Sequence, residues 1–253
     1  MRAVQRSSSL AIGLKTFAAV VAATSLASVS HAAVVYDTTL VDPPGFYNGS
    51  GNPNAGFTVN TTSAGIELGL GVNLRFIGPV HPTATNIYNV PLGFSSGSAS
   101  KWNFEYSVNL QAAPGNAGLH LSDITANISV LNVANGQILS YDPFVWNNDS
   151  AGWNGSKNNA GTNTTTDYGF QNSENLGFLF VSLVNSSFGF DPNSNDTYVV
   201  TLSLHSVTGL DLGSVNEVIV AGSGAPVPAA LPLFASGLGV LGFVARRRKK
   251  KSA

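Results

Sequence analysis

The sequence predicts an all-β domain, an antiparallel β-sandwich with Ig-like or jelly-roll connectivity, carried between two targeting segments. Three observations support this. Apolar and polar residues alternate in several separate stretches, as they do on a strand with one buried face. Gly-, Asn-, Ser- and Thr-rich connections divide those stretches. Between the two ends of the chain, no stretch carries a convincing helical period.

Met1 to about Ala32 reads as a secretory signal peptide. Arg2, Arg6 and Lys15 supply a positive start, TFAAVVAATSLA a short apolar core, and Ser30 and Ala32 the small residues at −3 and −1. Cleavage before Ala33 leaves residues 33–223, enough for one domain with a real core.

AVVYDTTL, GIELGLGVNLRFIG and VNEVIVAG read as strands of weaker pattern. KWNFEYSVNL is the clearest strand, with Trp102, Phe104, Tyr106, Val108 and Leu110 on a buried face. Its other face, with Asn103, Glu105 and Ser107, is expected to be wet, as is Glu67 on its own strand. ITANISVLNVANGQILSYD predicts a hairpin with a type I′ turn at Asn135-Gly136. GFLFVSLV, apolar on both faces, predicts a central strand. TYVVTLSLHS places Tyr198, Val200, Leu202 and Leu204 on one face. WNNDSAGWNGSKNNAGTNTTTDYG is expected to be a long loop of functional or unstructured character.

Charge is distributed unevenly. All 13 acidic residues fall between Asp37 and Glu217, where Arg75, Lys101 and Lys157 are the only Lys or Arg, a net charge of −10. That argues against nucleic acid as a partner. The chain has no cysteine, which removes disulfides and thiolate metal sites from consideration.

Candidate chemistry is sparse. GFSSG places Ser95 in a G-x-S-x-G pattern, but the following SASKWNFEYS reads as a strand where a nucleophile elbow needs a helix. His81, His120 and His205 lack ligand spacing, and His120 with Asp123 reads as a pair of loop residues. Glu67 and Glu105 could serve as a glycosidase pair only if folding brought them within about 5–10 Å. Asp191, Asn193, Asn195 and Asp196 of DPNSNDT space oxygen ligands like the start of a Ca²⁺ loop, without its glycine or closing glutamate. An Asx-rich turn is the favoured reading, with weak Ca²⁺ binding as the alternative and no other cofactor. Trp146 and Trp153 flank the long loop and are either core anchors or a platform for sugar rings.

The end of the chain has its own logic. From Gly224 a Pro-x-Pro turn leads into an apolar run, Ala229–Ala245, followed by six basic residues, Arg246, Arg247, Arg248, Lys249, Lys250 and Lys251. At 1.5 Å per residue this run reaches about 25 Å, a short membrane span if the basic residues snorkel. Those charges would stay cytoplasmic while the signal peptide exports the domain, so the two devices agree on one topology.

The segment resembles the PEP-CTERM sorting signal of Gram-negative bacteria, in its variant with a Val-Pro-x-Pro-Ala start. Pro226, Pro228, Ala229 and Ala230 fit the motif, and Val227 stands where the family usually has Glu. The SGLGVLG run and the Arg246–Arg248 cluster complete it. The resemblance implies a substrate of an exosortase, cut near the Pro-x-Pro and passed from the inner membrane to the cell envelope or its exopolysaccharide matrix. On this reading the protein is cargo rather than enzyme, with signal peptidase and exosortase as processing partners. The alternatives are an exopolysaccharide-binding module, a secreted hydrolase and, for the tail alone, a plain membrane anchor.

Overall fold

KWNFEYSVNL forms the middle of the larger of two facing sheets. The computed structural model describes residues 33–49, 52–83, 85–113, 118–144, 150–160 and 164–222. The segment expected to be a signal peptide, Trp146 and everything from Ser223 onward lie outside these residues. The larger sheet runs β1 (Val35–Thr38), β2 (Phe57–Thr61), β3 (Glu67–Leu74), β8 (Trp102–Asn109), β13 (Gly169–Glu174), β11 (Ala151–Trp153), β12 (Lys157–Ala160). A short β4 (Gly78–Val80) pairs with β3 beside that path. The smaller sheet runs β10 (Ile138–Tyr141), β9 (Ile124–Asn132), β14 (Asp196–Ser206), β15 (Asp211–Ala221), β5 (Ile87–Val90). A two-stranded hairpin joins β6 (Phe94–Ser96) and β7 (Ala99–Ser100). All pairings are antiparallel except β15 with β5. The described domain is thus an all-β sandwich, as the alternation predicts.

The core lies between the sheets. Trp102, Phe104, Tyr106 and Val108 of β8 meet Ile128 and Val130 of β9 and Tyr198, Val200, Leu202 and Leu204 of β14. Each such side chain contributes on the order of 1.5–3 kcal/mol through burial. The alternation in KWNFEYSVNL and TYVVTLSLHS therefore orients these strands correctly.

The expected wet face of β8 is instead buried. Glu105, Ser107 and Asn109 are all covered, as are Glu67 and Asn73 of β3 and Gln171 of β13. The cover is the irregular chain of residues 39–49 and 52–56, which lies across this face. Gln171 holds it through its Oε1, which accepts from Tyr47 N at 3.0 Å, and its Nε2, which donates to Gly45 O. Asn48 Nδ2 donates to Gln171 O, and Asn73 Nδ2 to Asn52 Oδ1. A second small core of Leu40, Phe46, Phe57 and Val59 forms beneath the segment. Side chains at Gly69 and Gly71 would collide with Leu40 and Phe57, so GLG is the opening that lets them in.

Three local expectations are corrected. The β9–β10 connection is a four-residue loop, closed by Asn132 N donating to Gln137 O, with Gly136 at φ 72°. Asn132 Oδ1 accepts from Ala134 N and Asn135 N, so the turn starts at Asn132 and needs no positive φ at Asn135. The long Asn-rich stretch contains a hairpin, β11 and β12, that extends the larger sheet.

GFLFVSLV is not a central strand. Leu179–Val184 form a short helix, α1. The preceding Asn175 explains why. Its buried Nδ2 donates to Trp102 O at 2.7 Å and to Asn103 Oδ1 at 2.8 Å, and its Oδ1 accepts from Ser100 N and Gly177 N. A side chain thereby occupies the positions where β13 would have continued along β8, and the strand stops. Val181 turns into the core with Phe180 and Val184 packed against it, while Leu179 and Leu183 face outward.

Candidate functional site

Polar chemistry is concentrated in the covered face of the larger sheet. Glu105 Oε1 accepts from Asn73 Nδ2 and Ser173 Oγ, each at 3.3 Å. Burial pushes its carboxyl up to about 8, and the two hydrogen bonds only partly oppose this. Glu67 accepts from Val41 N with both oxygens, at 3.2 and 3.0 Å. Its pKa is also raised by burial, against the pull of that backbone donor. Glu67 lies opposite Asn109 in the register and Glu105 opposite Gly71, so the two stand four residues apart along adjacent strands, roughly 13 Å. Their carboxyls are used separately, one to hold the covering segment and one to join side chains of β3 and β13. The fold does not assemble them as an acid–base pair.

A third carboxyl is more unusual. Glu217 of β15 is fully buried, and neither oxygen has a hydrogen-bond partner among the described residues. It lies between Val215 and Ile219 on the inward face of the strand. Burial drives its pKa far above the carboxylate range, and the charge of Glu105 adds to the effect. A group in this setting is held neutral.

The other sequence-derived candidates are dispersed. Ser95 Oγ donates to Ser100 O at 2.9 Å inside the β6–β7 hairpin, and a strand follows it. His81 pairs with exposed Asp37 at 2.5 Å, and the His120 ring lies 5.0 Å from that of Tyr168. His120 and Asp123 cap a single 3₁₀ turn, Leu121–Asp123. Asp191 closes its own turn: Oδ1 accepts from Asn193 N at 2.9 Å and Oδ2 from Ser194 Oγ at 3.0 Å, which holds its pKa down. Asp196 Oδ1 accepts from Thr197 N at 2.6 Å, and the side chain of Asn195 faces Gly222. Among the described residues no group of three or more His, Asp or Glu side chains converges as a metal site. Trp153 is half-buried on β11, one strand in from the edge strand β12 and opposite exposed Lys157, whose ammonium lies 5.4 Å from the Tyr47 ring. Tyr47 also donates its hydroxyl to Gly152 O.

A groove of about 520 Å³ beside α1 is not among the sites expected from sequence. Phe94, Phe178, Leu179, Phe188, Phe190 and Pro192 line it. These residues come from two distant parts of the chain, joined where Ser98 Oγ donates to Gly177 O at 2.7 Å. The Arg75 guanidinium reaches the rim, 5.3 Å from the Phe76 ring and 5.6 Å from that of Phe178. Lys101 is adjacent, since Arg75 N donates to Lys101 O and Lys101 N to Gly93 O. One signal was legible in advance: two of the three Lys or Arg residues between positions 33 and 223 flank apolar clusters, RFI and KWNF. Comparison of the chain with protein-family models, with curated proteins and with solved structures finds no match.

Proposed function

We propose that the protein is exported and sorted to the cell envelope or extracellular matrix by an exosortase, with the sandwich as passenger in a structural or interaction role. One observation carries the reading: the ordered series of Pro226-Val227-Pro228-Ala229-Ala230, apolar run and Arg246–Lys251, in a chain whose first 32 residues have the pattern of a signal peptide. The strand pattern of the described residues ends at Ala221, so this series follows the sandwich in sequence rather than interrupting it.

Intact-mass measurement of the protein from envelope and medium of its own host tests the proposal. The expected product begins near Ala33 and ends near Pro228, with any excess mass at the new C-terminus describing the attached group. A product that retains Arg246–Ala253, found only in the inner membrane, means a plain anchor and overturns the sorting proposal.

A second reading, an exopolysaccharide-binding module, is favoured by the edge cluster of Trp153, Tyr47 and Lys157. It requires that Trp153→Ala abolish retention on the host polysaccharide while the thermal midpoint is preserved. Equal retention of the variant eliminates this surface as the site.

A further inference from the structure

The four most exposed large apolar side chains among the described residues gather around the α1 groove. Phe76 is 88% exposed, Ile77 81%, Leu179 73% and Leu183 63%. Phe94, at the groove wall, is also exposed. Phe76 sits at the tip of the β3–β4 turn with φ 63°, a conformation that favours glycine or asparagine. Neither packing nor backbone preference accounts for an aromatic residue there. Soluble domains keep such apolar clusters small unless something covers them.

Charge and chain path indicate the partner. Arg75 and Lys101 are two of only three Lys or Arg between Ala33 and Ser223, and both lie on this face. The Lys101 ammonium is next to Gly93, the neighbour of Phe94. The groove-lining Asp191 puts one opposing charge on this rim, which leaves Arg75 and Lys101 in excess there. Because charges more than about 10 Å away are screened, this local pair counts for more than the net charge of the domain.

The chain leaves from the same side. Gly222 N donates to Val90 O, and Gly222 abuts Leu92 and Asn195. Gly93 N in turn donates to Pro192 O at 2.7 Å, on the groove wall. Only six residues, 223–228, separate this exit from the apolar run at Ala229, a reach of about 20–25 Å.

We propose that this face rests on a phospholipid bilayer, with Phe76, Ile77, Leu179 and Leu183 in the headgroup region and Arg75 and Lys101 against lipid phosphates. Aromatic and aliphatic side chains with a basic rim are the composition of interfacial membrane contacts. The inference rests on the reading that the tail enters the membrane. A domain tethered this closely meets the bilayer with the side from which its tether leaves. The contact would hold the sandwich in one orientation before processing and present the Pro-x-Pro segment at the membrane surface.

The absence of cysteine makes the test clean. Full-length chain carrying a fluorophore on Leu183→Cys, or on Thr208→Cys in the turn after β14, is reconstituted into phosphatidylglycerol-containing vesicles with a headgroup-bound quencher. Carbonate extraction of the same vesicles, compared with that of a Leu238→Asp, Val240→Asp variant, reports tail insertion. The expected result is an unextractable chain with quenching at position 183 at least about twofold that at 208, reduced by Lys101→Glu. An unextractable chain with equal quenching at both positions overturns the contact and leaves the anchor reading standing. An extractable chain that is still quenched at 183 supports the contact and removes the anchor. Extraction without quenching overturns both.

Discussion

Leu40 lies directly over Gly69: a Cβ at position 69 would come within 2.4 Å of Leu40 Cδ2. Leu40 is itself buried, in the small core beneath the segment that covers the larger sheet. Gly69→Ala is therefore expected to destabilise the domain by about 1–3 kcal/mol through overpacking. Leu40→Ala in the same chain should recover part of that loss, and urea unfolding of the two single variants and the double variant gives the coupling. Additive losses would mean that the covering segment does not press on position 69.

Stability should fall as pH rises. Glu67, Glu105 and Glu217 all have folded-state pKa values raised by burial, Glu105 to about 8. Below about 4.5 both folded and unfolded chains hold these protons, and the groups exert no pH-dependent penalty. Above it the unfolded chain releases protons that the folded one retains. Each such group then removes about 1.4 kcal/mol per pH unit, until pH passes its folded value. For Glu105 the window is pH 4.5 to about 8. Glu105→Gln should make the profile shallower across it, and Glu217→Leu should raise the midpoint more at pH 8 than at pH 4, where only the unsatisfied neutral carboxyl is removed. A profile that rises from pH 5 to 8 would contradict the burial of these carboxyls.

The two sides of α1 should respond differently to substitution. Val181→Ala removes buried contacts and is expected to cost about 2 kcal/mol. Leu179→Ser and Leu183→Ser should leave the denaturation midpoint nearly unchanged, because both side chains already face outward. A large loss from either leucine would place α1 the other way round, or restore the central strand that its apolar sequence suggests.

Asp191 is expected to act as a turn acceptor. Asp191→Ala should lower the thermal midpoint slightly, by the same amount with and without millimolar Ca²⁺, since its oxygens are engaged by Asn193 and Ser194. A Ca²⁺-dependent rise that disappears in the variant would instead assign a cation site to DPNSNDT.

Much of the sandwich was legible because strand alternation is a local property. In β8 and β14 a residue and its second neighbour share a face, and five or six residues suffice to orient each strand. The chain also states its charge balance, its lack of cysteine and the composition of its two ends without reference to folding. These features carry the sorting proposal.

What covers each face was decided by tertiary structure. Glu105 and Ser107 look like solvent-facing residues, yet segments 39–49 and 52–56 lie over their face, 49 to 66 positions from Glu105 in sequence. No local pattern records that approach; its nearest sign is the pair of glycines, 69 and 71, that make room for it. The fate of GFLFVSLV was set in the same way. Its apolar residues suit a strand, but the Asn175 side chain takes hydrogen-bonding positions on the neighbouring strand first, and the chain turns into a helix. Alternation specifies which side of a strand is apolar, while burial of the opposite side depends on contacts between segments far apart in the chain.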